Sequence, residues 1–525
     1  MTAQIQRNSA PTRADFSPSV ATVLARVTTF TIEGLDPCPV VVEADLRAGL
    51  PAFTIVGLAD RSVSEARERV RAAIQNSGLE FPMRRVTVNL APAHLRKAGP
   101  GFDLAIACAI LAAGGQLPAH LLEGVAVFGE LSLTGEVRPC RGALAAALGA
   151  RDAGLRGVVV AADRVREAQL VDELDVRGAT TLSALNAALA APPEPRGADG
   201  PPPAAPAAPR DAPDLADVRG QAAAIAALTV AAAGGHNLLL IGPPGTGKTM
   251  LARRMPSILP PLTSAEALEV TRIQSVAGLR TGDGIARVRP FRAPHHTISA
   301  SGLIGGGPGP APGEATLAHA GVLFLDELAE FDRRALEALR QPLEDGQVAI
   351  VRQNRVARYP TRCALVAATN PCPCGRGGTA CRCGEADLLR HARRLSGPLL
   401  DRIDLVVGVD RPSTEDLGAD PVTTSAVVRA EVRAARGLQG ERGVRCNADL
   451  RGARLRAAAA PTDAARRLLD RVYDAGTLSA RGRERALRVA RTVADLEGAA
   501  RVDDGHLKVA LAYRRQDEAL TRSAA

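Results

Sequence analysis

Residues 242 to 249 read Gly-Pro-Pro-Gly-Thr-Gly-Lys-Thr and follow directly on the apolar run Leu238-Leu239-Leu240-Ile241. This is the spacing of a phosphate-binding loop at the end of a buried strand, and it predicts binding of ATP or GTP. Backbone N–H groups of the glycine-rich turn at Gly242, Gly245, Thr246 and Gly247, with the helix N-terminus that follows, are expected to cradle a phosphate. Pro243 and Pro244 stiffen the entry to the turn, and glycines let the backbone approach closely. Lys248 is expected at the β- and γ-phosphates and Thr249 on Mg²⁺. The chain has three lysines, Lys97, Lys248 and Lys508, among 65 Lys+Arg. A compact ammonium is thus kept where a guanidinium would not fit.

A second signature lies downstream. Val322-Leu323-Phe324-Leu325 reads as a buried strand and ends in Asp326-Glu327. In that arrangement Asp326 holds Mg²⁺ through water and Glu327 polarises the attacking water. A third apolar run, Ala364 to Ala368, ends in Thr369-Asn370, and the amide of Asn370 is expected to orient the water beside the γ-phosphate. The alternative for Asn370 is a turn residue before Pro371.

At 525 residues the chain has room for two to four domains. Residues 191–213 are a Pro/Ala-rich stretch that cannot build a core and read as a semi-rigid linker. Residues 1–21 read as a disordered extension. Within 22–190, strand-like runs at Val40–Val42, Phe53–Val56, Val86–Leu90, Val125–Phe128 and Val158–Val160 alternate with helical stretches at Ser62–Gln75 and Leu104–Ala113, which predicts an α/β domain. Residues 214–412 form a second α/β block. Residues 413–525 read as all-helical, with helices at Ala464–Ala475 and Arg483–Leu496.

No apolar run reaches the ~18 residues of a membrane span, so no membrane partner is expected. The start of the chain lacks an apolar signal segment, so a cytoplasmic location is expected. A net charge of +9 permits a polyanionic partner without demonstrating one. Of nine cysteines, four stand apart: Cys372-Pro-Cys374 and Cys381-Arg-Cys383 can offer four thiolates to a structural Zn²⁺, with His391 as a substitute ligand. Reduced thiols or a redox disulfide are the alternatives. Cys38, Cys108, Cys140, Cys363 and Cys446 read as buried small hydrophobes.

With these motifs in order, the chain resembles the AAA+ ATPases, and within them the magnesium-chelatase-like ComM/YifB family. The segments carrying the likeness are Arg289-Pro-Phe-Arg-Ala-Pro-His-His-Thr297, Gly302-Leu-Ile-Gly-Gly-Gly307, Asn370-Pro-Cys-Pro-Cys-Gly375 and Ser396-Gly-Pro-Leu-Leu-Asp-Arg-Ile-Asp404. The resemblance implies an AAA+ P-loop NTPase core over 214–412 with a C-terminal helical lid over 413–525. It implies that Asn370 is sensor 1, that Arg402 is an arginine finger reaching a neighbour's γ-phosphate, and that Arg481 is sensor 2, with Arg485 as runner-up. A finger acting in trans implies a ring, expected to be a hexamer. Local pairing of Arg402 with Asp401 or Asp404 is the alternative.

The resemblance also suggests DNA-contacting elements. One is the Gly/Pro-rich segment from His295 to Gly313, read as a pore-facing insert in which His295 and His296 contact phosphate, with a structural turn or zinc ligation as the alternatives. The other is a β-hairpin over residues 347–358, whose Arg352, Arg355 and Arg358 would grip a sugar-phosphate backbone. Plain solvation of the hairpin tip is the alternative there. Residues 22–190 resemble a Lon-protease-like α/β domain, but the positions of its serine and lysine are Gly101 and Leu144. The catalytic dyad is therefore missing, and a scaffold or DNA-binding collar is expected, with Arg96 and Lys97 as candidate phosphate contacts or as plain solvent-exposed charges.

The function that the resemblance implies is an ATP- and Mg²⁺-dependent DNA motor, a branch-migration helicase acting on single-stranded or branched DNA in natural transformation. A magnesium-chelatase-type motor subunit and a protein-remodelling ATPase are the alternatives.

Overall fold

The computed structural model describes residues 23–57, 61–95, 97, 99–195, 213–279, 284–307, 311–352, 355–395 and 397–522. The expected extension over 1–21, most of the linker over 191–213, and Arg96 lie outside the described residues. The chain forms two compact units: residues up to Ile32 together with Pro37–Pro195, and Glu33–Asp36 together with the chain from Arg196 onward.

The first unit is built on a seven-stranded mixed sheet. Its strands run in the spatial order Ala52–Val56, Arg85–Ala91, Asp36–Arg47, Val23–Glu33, Val125–Val127, Gly157–Ala161 and Asp175–Ala179. Helices Arg61–Asn76 and Asp103–Ala113 coincide with the two expected from the sequence to within a residue. Alternation in Asp36–Arg47 buries Val40, Val42, Ala44 and Leu46 against these helices. Lys97 departs from expectation. It is fully buried and donates from Nζ to the Pro92 carbonyl, and burial pushes its ammonium below its ordinary pKa. The structure therefore corrects Lys97 as a phosphate contact or a solvent-exposed charge, because no surface is left for a ligand. At the expected dyad positions, a Cβ on Gly101 would come within 2.6 Å of the Phe128 ring, and Leu144 is fully buried. A serine does not fit at the first position and no base stands at the second.

The second unit carries a five-stranded parallel sheet, in the order Phe291–Arg292, Val322–Leu325, Ala364–Thr369, Leu238–Ile241 and Leu405–Gly408. The strands read as unbroken apolar runs because both faces are covered. Leu238, Leu240, Val322, Phe324, Val366, Ala368, Leu405 and Val407 enter one core. Leu239, Leu323, Leu325, Leu365, Ala367 and Val406 enter the other. Each fully buried leucine contributes about 2 kcal/mol of transfer free energy.

The helices Ser425–Glu441, Gly452–Ala459, Asp463–Asp474, Ala480–Leu496 and Asp504–Arg522 follow. Thr424, Thr462 and Ser479 cap three of them, each side-chain oxygen accepting from a first-turn N–H. Among the described residues, these helices share a core with the sheet. Val428, Val432, Leu469, Val489 and Leu511 pack in the same cluster as Leu238 and Leu240. Among the described residues, no helix is long and apolar enough to cross a membrane.

Candidate functional site

The central strand Leu238–Ile241 lies between Ala364–Thr369 and Leu405–Gly408, so the loop after it emerges at the carboxyl edge of the sheet. Gly242 donates its N–H to the Thr369 carbonyl at 3.2 Å. A Cβ at Gly242 would sit 2.1 Å from the Val409 carbonyl oxygen, so only glycine allows the loop to leave the sheet here. Gly247 at φ 93° sets the left-handed turn before helix Lys248–Ile258. The result is a cavity of about 440 Å³ lined by Pro244, Gly245, Thr246, Gly247, Lys248, Thr249, Met250, Asp326, Glu327, Thr369 and Asn370.

Within it the polar groups are connected. Lys248 Nζ donates to the carbonyls of Gly242 at 2.7 Å and Pro243 at 2.8 Å, and reaches Asn370 Oδ1 at 3.3 Å. Burial holds its pKa below the usual lysine value, opposed by the charges of Asp326 and Glu327. Thr249 Oγ1 donates to Asp326 Oδ2 at 2.7 Å. This hydroxyl–carboxylate pair is the hard-oxygen donor set that suits Mg²⁺. Asp326 Oδ1 accepts from the Glu327 N–H at 3.0 Å, while the Glu327 side chain is exposed toward the cavity mouth. Glu327 has φ 52°, a left-handed conformation that costs a side-chain-bearing residue roughly 1–3 kcal/mol and clusters at functional sites.

The structure brings His296 Nδ1 to 3.6 Å from Glu327 Oε2, with the ring edge-on to Phe331. His295 is exposed, packs its ring 4.1 Å from that of His296, and accepts on Nδ1 from the Thr297 N–H. The sequence named the pair but not its neighbour, because a Gly/Pro-rich segment has no periodicity from which its path can be read.

Arg402 and Arg481 lie elsewhere. Both line a cavity of about 560 Å³ with Asp401, Glu344, Arg485 and Arg488, and neither lines the phosphate-loop cavity. Arg402 pairs with Glu344 and donates from Nε to the Arg340 carbonyl at 3.1 Å. Its hydrogen bond holds the Glu344 carboxyl below the ordinary glutamate pKa. The local alternatives for Arg402 are otherwise engaged: Asp401 faces Arg485 at 3.6 Å and Asp404 faces His236 at 3.5 Å. Glu344 carried no sequence signal. Arg485 is buried and donates to the Ile403 carbonyl at 3.3 Å, whereas Arg481 is exposed.

The expected hairpin forms from Gln347–Arg352 and Arg355–Pro360, in register Arg352↔Arg355. Val348, Ile350, Ala357 and Tyr359 anchor it, Val351 and Val356 are exposed toward its tip, and Arg358, opposite Ala349, is exposed nearer its base. The side chains of Arg352 and Arg355 lie outside the described residues. The Sγ atoms of Cys372, Cys374, Cys381 and Cys383 all lie within 4.8 Å of one another. His391 does not join them; its Nε2 is 3.0 Å from the Asn370 carbonyl oxygen.

Residues 214–417 match the family described as magnesium chelatase, subunit ChlI; residues 42–164 match subunit ChlI of Mg-chelatase, and residues 422–514 its C-terminal part. An uncharacterized protein of Mycobacterium tuberculosis, Rv2897c, is 46% identical over 499 residues, 94% of this chain and 99% of its own. YifB of Escherichia coli is 43% identical over 490 residues, 93% of this chain and 96% of its own. Competence protein ComM of Haemophilus influenzae is 42% identical over 487 residues, 90% of this chain and 94% of its own. Identity at this level along nearly the whole length, through both compact units, shows that the chain belongs to the magnesium-chelatase-like ComM/YifB family.

Proposed function

We propose that this chain is an ATP-driven DNA motor, a branch-migration helicase working as a hexameric ring. The observation that carries the reading is the convergence of Lys248, Thr249, Asp326, Glu327 and Asn370 on one cavity at the sheet's carboxyl edge. Kinship with a protein named for competence favours DNA over other substrates. ATP would lie along the phosphate loop with its γ-phosphate between Lys248 and Asn370. Thr249 and Asp326 would hold Mg²⁺, which would neutralise charge on the β- and γ-phosphates. Glu327 takes a proton from the attacking water while Asn370 orients it, and Lys248 balances charge as the bond to the β-phosphate breaks. Arg402 and Arg481 share a cavity apart from their own phosphate loop, an arrangement that supports their acting on a neighbour's nucleotide.

The hairpin of 347–360 would grip DNA through Arg352, Arg355 and Arg358, beside exposed Val351 and Val356. The first unit would serve as a non-peptidase scaffold of Lon-like type, since neither Gly101 nor Leu144 supplies a nucleophile or base. The test is ATP hydrolysis by the purified chain with no DNA, with single-stranded DNA and with a four-way junction. Turnover is expected to rise with DNA, most with the junction, and the stimulation to fade at high salt. Turnover indifferent to every DNA would overturn the motor reading and leave the chelatase-type and protein-remodelling readings.

A further inference from the structure

We propose that Cys372, Cys374, Cys381 and Cys383 bind one tetrahedral zinc ion, and that the loop it closes acts as a brace on the phosphate loop. The second clause rests on reading the neighbouring cavity as a nucleotide site. A zinc ion with four thiolates at about 2.3 Å places the sulfurs about 3.8 Å apart. Here Cys372 to Cys374 is 3.3 Å, Cys372 to Cys381 is 3.6 Å and Cys374 to Cys381 is 3.9 Å. These separations bracket the tetrahedral value and are far longer than the ~2.05 Å of a covalent S–S bond. Two backbone amides point at the sulfurs, Gly377 N–H to Cys372 and Cys374 N–H to Cys383, both at 3.4 Å. Such N–H···S contacts stabilise thiolates and orient them for a metal. Cys372 is buried while Cys374 is exposed, so the group has a wall and an entry path.

The loop is fastened to the nucleotide cavity at three points. It begins immediately after Asn370, whose side chain meets Lys248 at 3.3 Å. It ends at helix Glu385–Arg394, which returns His391 to the Asn370 carbonyl at 3.0 Å. Midway, Gly375 has φ 77°, and a Cβ there would lie 2.8 Å from Cδ of Pro244 in the phosphate loop. Gly375 therefore packs directly on Pro244, and its N–H bonds the Cys372 carbonyl at 2.9 Å. A metal that fixes Cys372 and Cys374 fixes the residue touching the phosphate loop.

The test uses the full chain, with zinc measured by elemental analysis and nucleotide affinity by a fluorescent ATP analogue. The expected result is one zinc per wild-type chain and none in a Cys381→Ser/Cys383→Ser double variant. Nucleotide affinity of the variant is expected to fall by about tenfold, the scale of one charge-assisted hydrogen bond lost from a phosphate. A second variant, Gly375→Ala, keeps all four thiols. It is expected to retain zinc yet bind nucleotide more weakly, so the brace is tested even where the double variant fails to fold. Wild-type protein carrying no zinc, or carrying iron, overturns the site. Zinc present with wild-type nucleotide affinity in Gly375→Ala overturns the brace. Failure of the wild type itself to bind nucleotide overturns the reading of the cavity, while the zinc count still decides the metal site.

Discussion

At the scale of single residues, Glu327 concentrates the strain and the exposure of the site. It has a left-handed φ of 52°, is exposed and lines the cavity, while its own N–H stays tied to Asp326 at 3.0 Å. A glutamine there keeps the size and the backbone contacts and removes only the capacity to take a proton. Glu327→Gln is therefore expected to bind nucleotide with wild-type affinity and lose turnover by roughly 10²–10⁴-fold, measured as equilibrium binding beside steady-state phosphate release. Turnover at the wild-type rate would show that another group is the base. Lys248, Thr249, Asp326 and Glu327 are legible in the sequence because Asp326 and Glu327 directly follow one apolar strand and Lys248 and Thr249 close the glycine-rich loop that follows another. The pairing of Arg402 with Glu344 is not, because the two are 58 positions apart with three strands between them. Proximity of His296 to Glu327 was hidden for the same reason: it is a long-range contact made from an aperiodic segment.

At the scale of elements, unbroken apolar runs such as Leu238–Ile241 and Val322–Leu325 identified the strands of the parallel sheet, since burial on both faces leaves no polar position to confuse the pattern. Asp175–Ala179 went unread because Asp-Val-Arg-Gly-Ala carries no such run and is held by its parallel partner Gly157–Ala161. The hairpin was legible from two β-prone halves, and its strands now show why it is a candidate grip. It is anchored by Tyr359 and Ile350, exposes Val351 and Val356 toward its tip, and exposes Arg358 nearer its base. Replacing Arg352, Arg355 and Arg358 together by alanine is expected to weaken single-stranded DNA binding. If each contacts one phosphate, the slope of log affinity against log salt should become shallower by roughly two. Fluorescence anisotropy over a salt series measures both, and an unchanged slope would mean that these arginines are solvated rather than bound to phosphate.

At the scale of the whole molecule, the chain forms two compact units, and in the second the C-terminal helices share the sheet's own core, which nothing in the sequence pattern shows. That sharing matters for assembly. Helix Ala480–Leu496 lends Val489 and Ala490 to the core under the phosphate loop, and the same helix carries Arg481 into the cavity of Arg402. The arginine pair is thus rigidly referred to one sheet while lying outside that sheet's own nucleotide cavity. If the pair serves a neighbour, each working site needs a phosphate loop from one subunit and Arg402 from the next. Arg402→Ala keeps the loop and Lys248→Ala keeps the arginine, so each alone should be nearly inactive. In an equimolar mixture with random assembly, about a quarter of interfaces join an intact loop to an intact arginine. Hydrolysis should therefore recover toward about a quarter of the wild-type rate and decline on either side of equal mixing. Absence of recovery at every ratio would place Arg402 in service of its own subunit, where its partner Glu344 would make it a structural ion pair.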